Sequence, residues 1–184
     1  ETPEGQKIGI VKSLAMSSTI SLQNISQKKI TLGIIEKLDY IKHPADVDSL
    51  LMDYYSKIFI NGDWVGCTKN IIEFYNLLLK EKRSGLIDIM TSISMDYRKN
   101  ELRVFCDGGR LIRPILNVED NKLIFNKTMA NEVREMLLSN SSSKGWKKLI
   151  SKYSGVINYE DIESSNYLMI SANFTLLGNP KHRH

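Results

Sequence analysis

The sequence predicts an α+β fold in which mixed sheets and hairpins pack against several short helices. Two β-rich runs flank Asn61-Gly62 within residues 57–68 (KIFINGDWVGCT), the strongest hairpin signal a short stretch carries. Residues 69–83 (KNIIEFYNLLLKEKR) place Ile71, Ile72, Tyr75, Leu78 and Leu79 on one face at helical spacing. Alternating apolar and polar residues then recur through 88–96, 101–106 and 110–118, with turn residues between them. Of 184 residues, 42% are hydrophobic and 25% charged, which excludes disorder, collagen and coiled coil. A chain of this length buries roughly 70% of its unfolded surface and needs no staple to fold.

From the N-terminus, Thr2-Pro3-Glu4-Gly5 is turn chemistry, with Pro fixing φ and Gly tolerating positive φ two residues later. Ile8, Ile10, Val11, Leu14, Ala15, Met16, Ile20 and Leu22, punctuated by Ser and Thr, suit a strand or short buried segment. Residues 31–41 (TLGIIEKLDYI) carry Leu32, Ile35, Leu38 and Ile41 at three-residue spacing and predict a helix capped by Thr31. Another short helix is expected over about 46–55, after Pro44. In the helix over 69–83, basic residues occupy the last turn and Gly85 stops it. Strands at 88–96 and 101–106 are joined by YRKN at 97–100 and followed by an Asp107-Gly108-Gly109 turn. Strand patterning continues at 110–118 and 122–126 across Glu119-Asp120-Asn121. Met129, Val133, Met136 and Leu137 mark a helix over 127–138, and SNSSS at 139–143 reads as an exposed loop or linker. A smaller last unit follows: a helix over 146–153 ending at Gly155, then two extended segments within 156–171 around Ser164-Ser165-Asn166. Residues 178–184 read as a frayed tail.

The formal net charge of +4, from 25 basic and 21 acidic residues, falls short of a dedicated nucleic-acid-binding domain. No apolar run approaches the roughly 18 residues of a membrane span, and ETPEGQKIG lacks the regions of a signal peptide. Cys67 and Cys106 read as reduced, partly buried thiols of an intracellular protein. The chain opens with Glu1 rather than Met, as expected of a piece of a longer polypeptide. His43 stands alone and reads as a surface residue, and His182 and His184 lie in the tail, so zinc sites and Ser/His/Asp triads lack material. Neither a Walker loop nor GxGxxG occurs. No catalytic residue and no metal ligand is assigned; Asp107 with Asp120, and Glu160 with Asp161 and Glu163, read first as turn and surface residues. Arg98, Lys99, Arg103, Arg110 and Arg113 form either a phosphate-facing stripe or ion pairs with Asp96, Glu101 and Asp107, and the ion-pair reading leads. Lys144, Lys147, Lys148 and Lys152 recur around Trp146 at helical spacing, where a solvated face is the leading reading.

Residues 1–16, ETPEGQKIGIVKSLAM, resemble a signature of the second-largest subunit of multisubunit DNA-directed RNA polymerases, the counterpart of the bacterial beta subunit. INGDWVG at 60–66 and LRVFCDGGRLIRPIL at 102–116 come after it in the family's order. GVINYEDIE at 155–163 is similar to the family's Tyr-Ile-Asp and acidic run, with Glu160 replacing Ile and Ser164-Ser165-Asn166 replacing further acids. Lys12 and the hairpin with Trp64 resemble the eukaryotic, archaeal or large-DNA-virus branch. The resemblance covers residues 1–171 and implies a fragment of a larger multidomain subunit: 1–25 the end of a fork region, 26–116 an external lobe, 117–126 connecting strands, 127–175 a small following domain and 176–184 a tail. It implies a share in nucleotidyl transfer within the assembled enzyme, with this fragment not itself catalytic and magnesium held by the largest subunit. The implied partners are that subunit, other core subunits, template DNA and the RNA–DNA hybrid, without a membrane. The implied location is the nucleus, or the cytoplasm or virion for a viral enzyme.

By the same resemblance, Glu4, Lys7 and Lys12 would lie near nucleic acid; equally, Pro3 and Gly5 only set a tight turn. Gly62 permits the hairpin turn, and Trp64 is expected to pack against the following helix. Asp107 and Gly109 build a turn, while Pro114 holds Arg113 extended, with Arg113–Asp107 pairing ahead of nucleic-acid contact. Two rival functions remain: a protein-interaction lobe with exposed apolar patches, and a stand-alone nucleic-acid-binding module dependent on Arg98, Lys99 and Arg103.

Overall fold

Two consecutive residues with positive φ, Asn61 at 50° and Gly62 at 89°, close a hairpin at the centre of the fold. The computed structural model describes residues 4–9, 14–138, 143–171, 173 and 177. In chain order its elements are β1 (Thr19–Ile20), α1 (Ile25–Ile35), β2 (Ile41–Lys42), β3 (Ser56–Ile60), β4 (Asp63–Thr68), α2 (Ile71–Ser84), β5 (Ser92–Asp96), β6 (Glu101–Phe105), β7 (Leu111–Leu116), β8 (Val118–Glu119), β9 (Lys122–Leu123), α3 (Lys127–Leu138), α4 (Ser143–Lys152), β10 (Ile157–Asp161) and α5 (Ile162–Ser165). Short 3-10 turns lie at Gly5–Lys7, Pro44–Asp46 and Ser49–Tyr54.

Strands β3 and β4 pair antiparallel across the Asn61-Gly62 turn, whose twist suits a two-residue connection. They form the centre of a five-stranded sheet of order β2-β4-β3-β6-β5. The β3–β6 pair is parallel and the β5–β6 pair antiparallel. Asn61 fastens the turn to the end of β6: its N–H donates to Val104 O at 2.9 Å and its Oδ1 accepts from Cys106 N at 2.8 Å. Helix α2 lays Ile71, Phe74 and Leu78 against this sheet, where they join Ile58, Ile60, Leu102 and Val104 in the core. Both cysteines are free and buried.

A second sheet, β1-β7-β10, joins chain segments separated by more than forty residues. Ile112 of β7 faces Thr19 on one side and Asp161 on the other. The Asp107–Gly109 turn is clamped by buried Ser21, whose hydroxyl donates to Asp107 O at 3.1 Å and accepts from Arg110 N at 3.0 Å. Gly109, at φ 85°, lets its own N–H reach Ser21 O at 2.9 Å. At Gly108 a Cβ would come within 2.8 Å of Gln23 N, so the close approach of these two segments requires glycine.

Several sequence expectations need correction. Leu14, Met16, Ile20 and Leu22 are exposed, and among the described residues β1 is the only strand in that stretch, so it is extended but not buried. The first helix is α1, which begins after Asn24 without a side-chain cap, and Thr31 lies inside it, its hydroxyl donating to Gln27 O at 2.9 Å. The three-residue spacing belongs to the chain just after α1, where Leu38 N bonds Ile35 O and Ile41 N bonds Leu38 O in turns of i,i+3 type. The stretch after Pro44 forms two 3-10 turns in place of one α-helix, capped by His43 Nδ1 and Asp48 Oδ1. After β10 the chain enters α5 in place of a second strand, because Asp161 and Ser164 cap each other reciprocally. The SNSSS linker up to residue 142 and the 178–184 tail lie outside the described residues.

Phe74→Ala is expected to cost about 3–5 kcal/mol in urea denaturation of the chain, because its side chain is wholly buried. Ile72→Ala, two residues away but 61% exposed, is expected to change stability by about 0.5 kcal/mol or less. Equal losses at the two positions would contradict this orientation of α2.

Candidate functional site

Three cation–carboxylate groups form a seam between the two sheets. Arg110 leaves the glycine turn at the start of β7, only 14% exposed at its side chain. Its guanidinium donates to Met90 O at 2.8 Å, Ser92 Oγ at 2.7 Å, Asp107 O at 3.1 Å and Asp161 Oδ2 at 3.2 Å, and pairs with Asp107 Oδ1 at 2.9 Å. Arg103 on β6 reaches Glu101 Oε2 at 2.6 Å on its own strand and Glu163 of α5. Lys82, on the last turn of α2, donates to Tyr159 O at 3.2 Å and lies 4.0 Å from Glu160 Oε1, both side chains 4% exposed. Asn158 Nδ2 also donates to that Glu160 oxygen.

The electrostatics arise from burial. Loss of water pushes the Lys82 ammonium down to about 8, against the pull of Glu160. The same burial pushes the Glu160 carboxyl up, with Lys82 opposing. Asp161 behaves oppositely: burial would raise it, but hydrogen bonds from Ser164 and Ser92 and the charge of Arg110 hold it below the usual carboxylate value. Burial also works to raise Asp96, which is held low by Tyr167 and by the backbone N–H groups of Lys99 and Arg98. A groove of about 330 Å³ opens over the seam beside Phe105, Leu111 and Ile162, and its charged lining residues Arg110, Asp161 and Glu163 are already paired.

The structure places the sequence-assigned residues unevenly. Arg103 and Arg110 enter the seam, whereas Arg98 and Arg113 are exposed and Arg113 has no carboxylate partner among the described residues. Asp107 is taken by Arg110, which replaces the expected Arg113 pairing. Pro114 sits in β7 opposite Tyr159. Trp64 is 39% exposed, stacked on Phe59 with centroids 6.3 Å apart, under the Lys57 ammonium; its Nε1 donates to Gly66 O at 2.9 Å. Glu4 is exposed beside Gly5, of Lys7 only the backbone is described, and Pro3 and Lys12 lie outside the described residues. Sequence reasoning missed Lys82, Glu160 and Asp161 as seam residues. Lys82 was signalled: it stands four residues after Leu78 on the buried stripe of α2, where a surface lysine would break the pattern. The spacing Asp161-x-x-Ser164 likewise carries the capping signal.

Removing one partner of a buried pair strands the other charge, so Lys82→Met alone is expected to destabilise the chain by about 3–5 kcal/mol. Adding Glu160→Leu should recover most of that loss in the same urea titration. Because Lys82 titrates lower folded than unfolded, the unfolded chain binds more protons between about pH 8 and 10.5, so this group's contribution to stability rises with pH across that window. The Lys82→Met variant should lack that rise, and an identical alkaline profile would contradict the assignment.

Residues 58–119 match the family model described as RNA polymerase Rpb2, domain 4, a span that includes the hairpin, α2, β5, β6 and the glycine turn. The chain is 34% identical over 174 residues, 93% of its length, to "DNA-directed RNA polymerase subunit 2" of Acanthamoeba polyphaga mimivirus. It is also 34% identical over 179 residues, 96% of its length, to "DNA-directed RNA polymerase II subunit RPB2" of Encephalitozoon cuniculi, and 30% identical over 173 residues, 93% of its length, to "DNA-directed RNA polymerase II subunit 2" of Arabidopsis thaliana. It spans 13% of the first relative's length and 14% of each of the others. With similarity this continuous across eukaryotic and giant-virus proteins, the chain belongs to the family of second-largest subunits of DNA-directed RNA polymerases.

Proposed function

We propose that this chain is part of a DNA-directed RNA polymerase core subunit, where it shapes the nucleic-acid cleft and scaffolds RNA synthesis. The observation that carries the reading is the 34% identity to polymerase subunits over 93–96% of the chain. Residues 1–25 end a fork region, 26–116 form an external lobe, 117–126 connect and 127–175 form a small following domain. The sheet β1-β7-β10 supports a scaffolding role, since it ties a strand from each of the three main units together. Glu4, Lys7 and Lys12 lie nearest template or hybrid in this reading. The partners are the largest subunit, the other core subunits, template DNA and the RNA–DNA hybrid, inside the cell, in the nucleus, or in the cytoplasm or virion for a viral enzyme.

Nucleotidyl transfer belongs to the assembly. Asp107, Asp161, Glu160 and Glu163 are engaged by Arg110, Lys82 and Arg103, so these acids do not fit a magnesium ligand set, and the metal is assigned to the largest subunit. Among the described residues no helix is long and apolar enough to cross a membrane. The same engagement weighs against a stand-alone nucleic-acid module built on Arg103. A protein-interaction lobe is the second reading, favoured by the exposed apolar run Leu14, Met16, Ile20, Leu22 and Ile25.

Photocrosslinkers at position 12 and at exposed position 69, placed in the full-length subunit of a stalled elongation complex, test the cleft reading. Crosslinks to template or RNA from position 12 alone are the expected result. No crosslink from position 12 in an assembled, active complex would leave the interaction lobe as the better account.

A further inference from the structure

The groove over the seam continues past its paired charges. Its apolar lining of Phe105, Leu111 and Ile162 meets a second hollow of about 180 Å³, which shares Leu111 and Ile162 and reaches Ser18, Ser165 and Arg113. The strand register explains the join. Ile20 stands opposite Leu111, and Asp161 opposite Ile112, so Ile162 comes level with Leu111 on its other side. Ile20, Leu111 and Ile162 therefore form one apolar row across β1, β7 and the entry to α5, with Ile20 60% and Ile162 67% exposed. Arg113 follows Leu111 by two positions on β7 and projects from the same face, about 6.7 Å further along the strand.

Folding makes no use of this surface. None of Ile20, Leu111 and Ile162 belongs to the buried core. Every acid along the groove is committed: Asp107 and Asp161 to Arg110, Glu163 to Arg103, and Glu160, which faces Arg113 across the strands, to Lys82 and Asn158. Arg113 is left exposed, with no carboxylate partner among the described residues. A continuous apolar row beside one unpaired cation, rimmed by charges already satisfied, is the surface of an interaction site.

We propose that this groove docks an extended segment of another protein in which a carboxylate stands two residues from a large aliphatic side chain. The aliphatic group covers Leu111 and Ile162, and the carboxylate pairs with Arg113, whose planar fork matches it. An extended chain repeats its side chains on one face every two residues, about 6.7 Å, which is the spacing of Leu111 and Arg113. The charge of the groove selects against nucleic acid. A strand brings a phosphate about every 3.4 Å and would meet Glu160, Asp161 and Glu163 beside a single free cation, whereas one carboxylate needs only Arg113. The partner lies across the face of the sheet and does not extend its edge, since Pro114 interrupts the row of N–H donors along β7. This goes beyond the cleft reading, because the groove can be filled whether or not position 12 meets nucleic acid.

The test is fluorescence anisotropy of the intact chain with labelled peptides of about ten residues in a Gly-Ser background. One peptide carries Glu-Ser-Leu-Ser-Glu, which sets a carboxylate two residues from leucine in either chain direction. Its control carries Glu-Ser-Ser-Leu-Ser-Ser-Glu, with the same charge and the wrong spacing. The first should bind saturably and about two- to fivefold more tightly than the control, the worth of one exposed ion pair, and Arg113→Gln should erase that difference. Glycine in place of the peptide leucine should weaken binding about tenfold or more. Ile162→Ser should weaken it as well, while Ile72→Ser, 61% exposed on α2, should leave it unchanged. Arg113→Glu should turn the preference toward a peptide with lysines in place of its glutamates. Circular dichroism of the three chain variants at Arg113 and Ile162 establishes equal folding. The proposal is overturned by no saturable binding up to about 1 mM peptide, by equal affinity for the two spacings, or by equal losses in Ile162→Ser and Ile72→Ser. Displacement of the peptide by duplex DNA or RNA would assign the groove to nucleic acid, and a dimer in sedimentation that Ile162→Ser dissolves would assign it to a second copy of this chain; either result overturns it too. The titration reads peptide and the crosslinking reads nucleic acid, so each can fail alone.

Discussion

The Arg110 guanidinium meets five acceptors drawn from three separate stretches of chain: Met90 and Ser92 at the start of β5, its own turn at Asp107, and Asp161 at the end of β10. A guanidinium holds its N–H donors in a fixed plane, and with Nε–H shared by the two Asp107 oxygens, Nη1 donating to Ser92 and Asp161 and Nη2 to Met90, few relative positions of those stretches are allowed. The two sheets share no strand, and this fork sets one against the other. Its reach extends through Asp161, whose other oxygen caps α5 at Ser164 N, and α5 in turn delivers Glu163 to Arg103. Loss of the planar fork would therefore loosen the glycine turn, the end of β10 and the entry to α5 together.

Beside this hub, Lys82 and Glu160 present a different balance. Each ion loses most of its water, and their 4.0 Å separation returns less attraction than a close bidentate pair would. Burial pushing both groups toward their neutral forms is the sign of that cost. What the pair gains is directionality: the Lys82 ammonium bonds Tyr159 O, a backbone atom of β10, so the end of α2 is tied to one register of the second sheet. Ser154 repeats the tie nearby, donating to Arg83 O at 2.7 Å. An apolar pair of the same size would hold α2 near β10 without choosing which residue faces it.

The elements legible in the sequence are those whose cause is local. Asn61-Gly62, the helix α2 and the Gly85 stop each depend on a few neighbours, and the structure has them where the pattern puts them, although the buried face of α2 is turned toward Phe74 and Lys82 and leaves the expected Ile72 exposed. The parallel pairing of β3 with β6, and the pairing of β10 with β7, depend on contacts more than forty residues distant, and no local period records them. The α1 misreading shows the limit within local reasoning: a three-residue apolar repeat fits successive i,i+3 turns as well as a helix face, and the helix starts after Asn24, seven residues before Thr31. For the site, the nearby partners were legible, since Arg103 pairs with Glu101 and Arg110 with Asp107, but the distant ones were not, because Asp161 and Glu163 arrive only once β10 and α5 have docked.

Arginine and lysine divide the work of this molecule along physical lines. Arg103 and Arg110 lie at the junction of the two sheets, where a weakly hydrated planar cation can satisfy several fixed acceptors at modest desolvation cost. Lysine, compact and strongly hydrated, is costly there, and the buried Lys82 needs both a carboxylate and a carbonyl. The seam arginines are spent on internal carboxylates and have little charge left for a ligand.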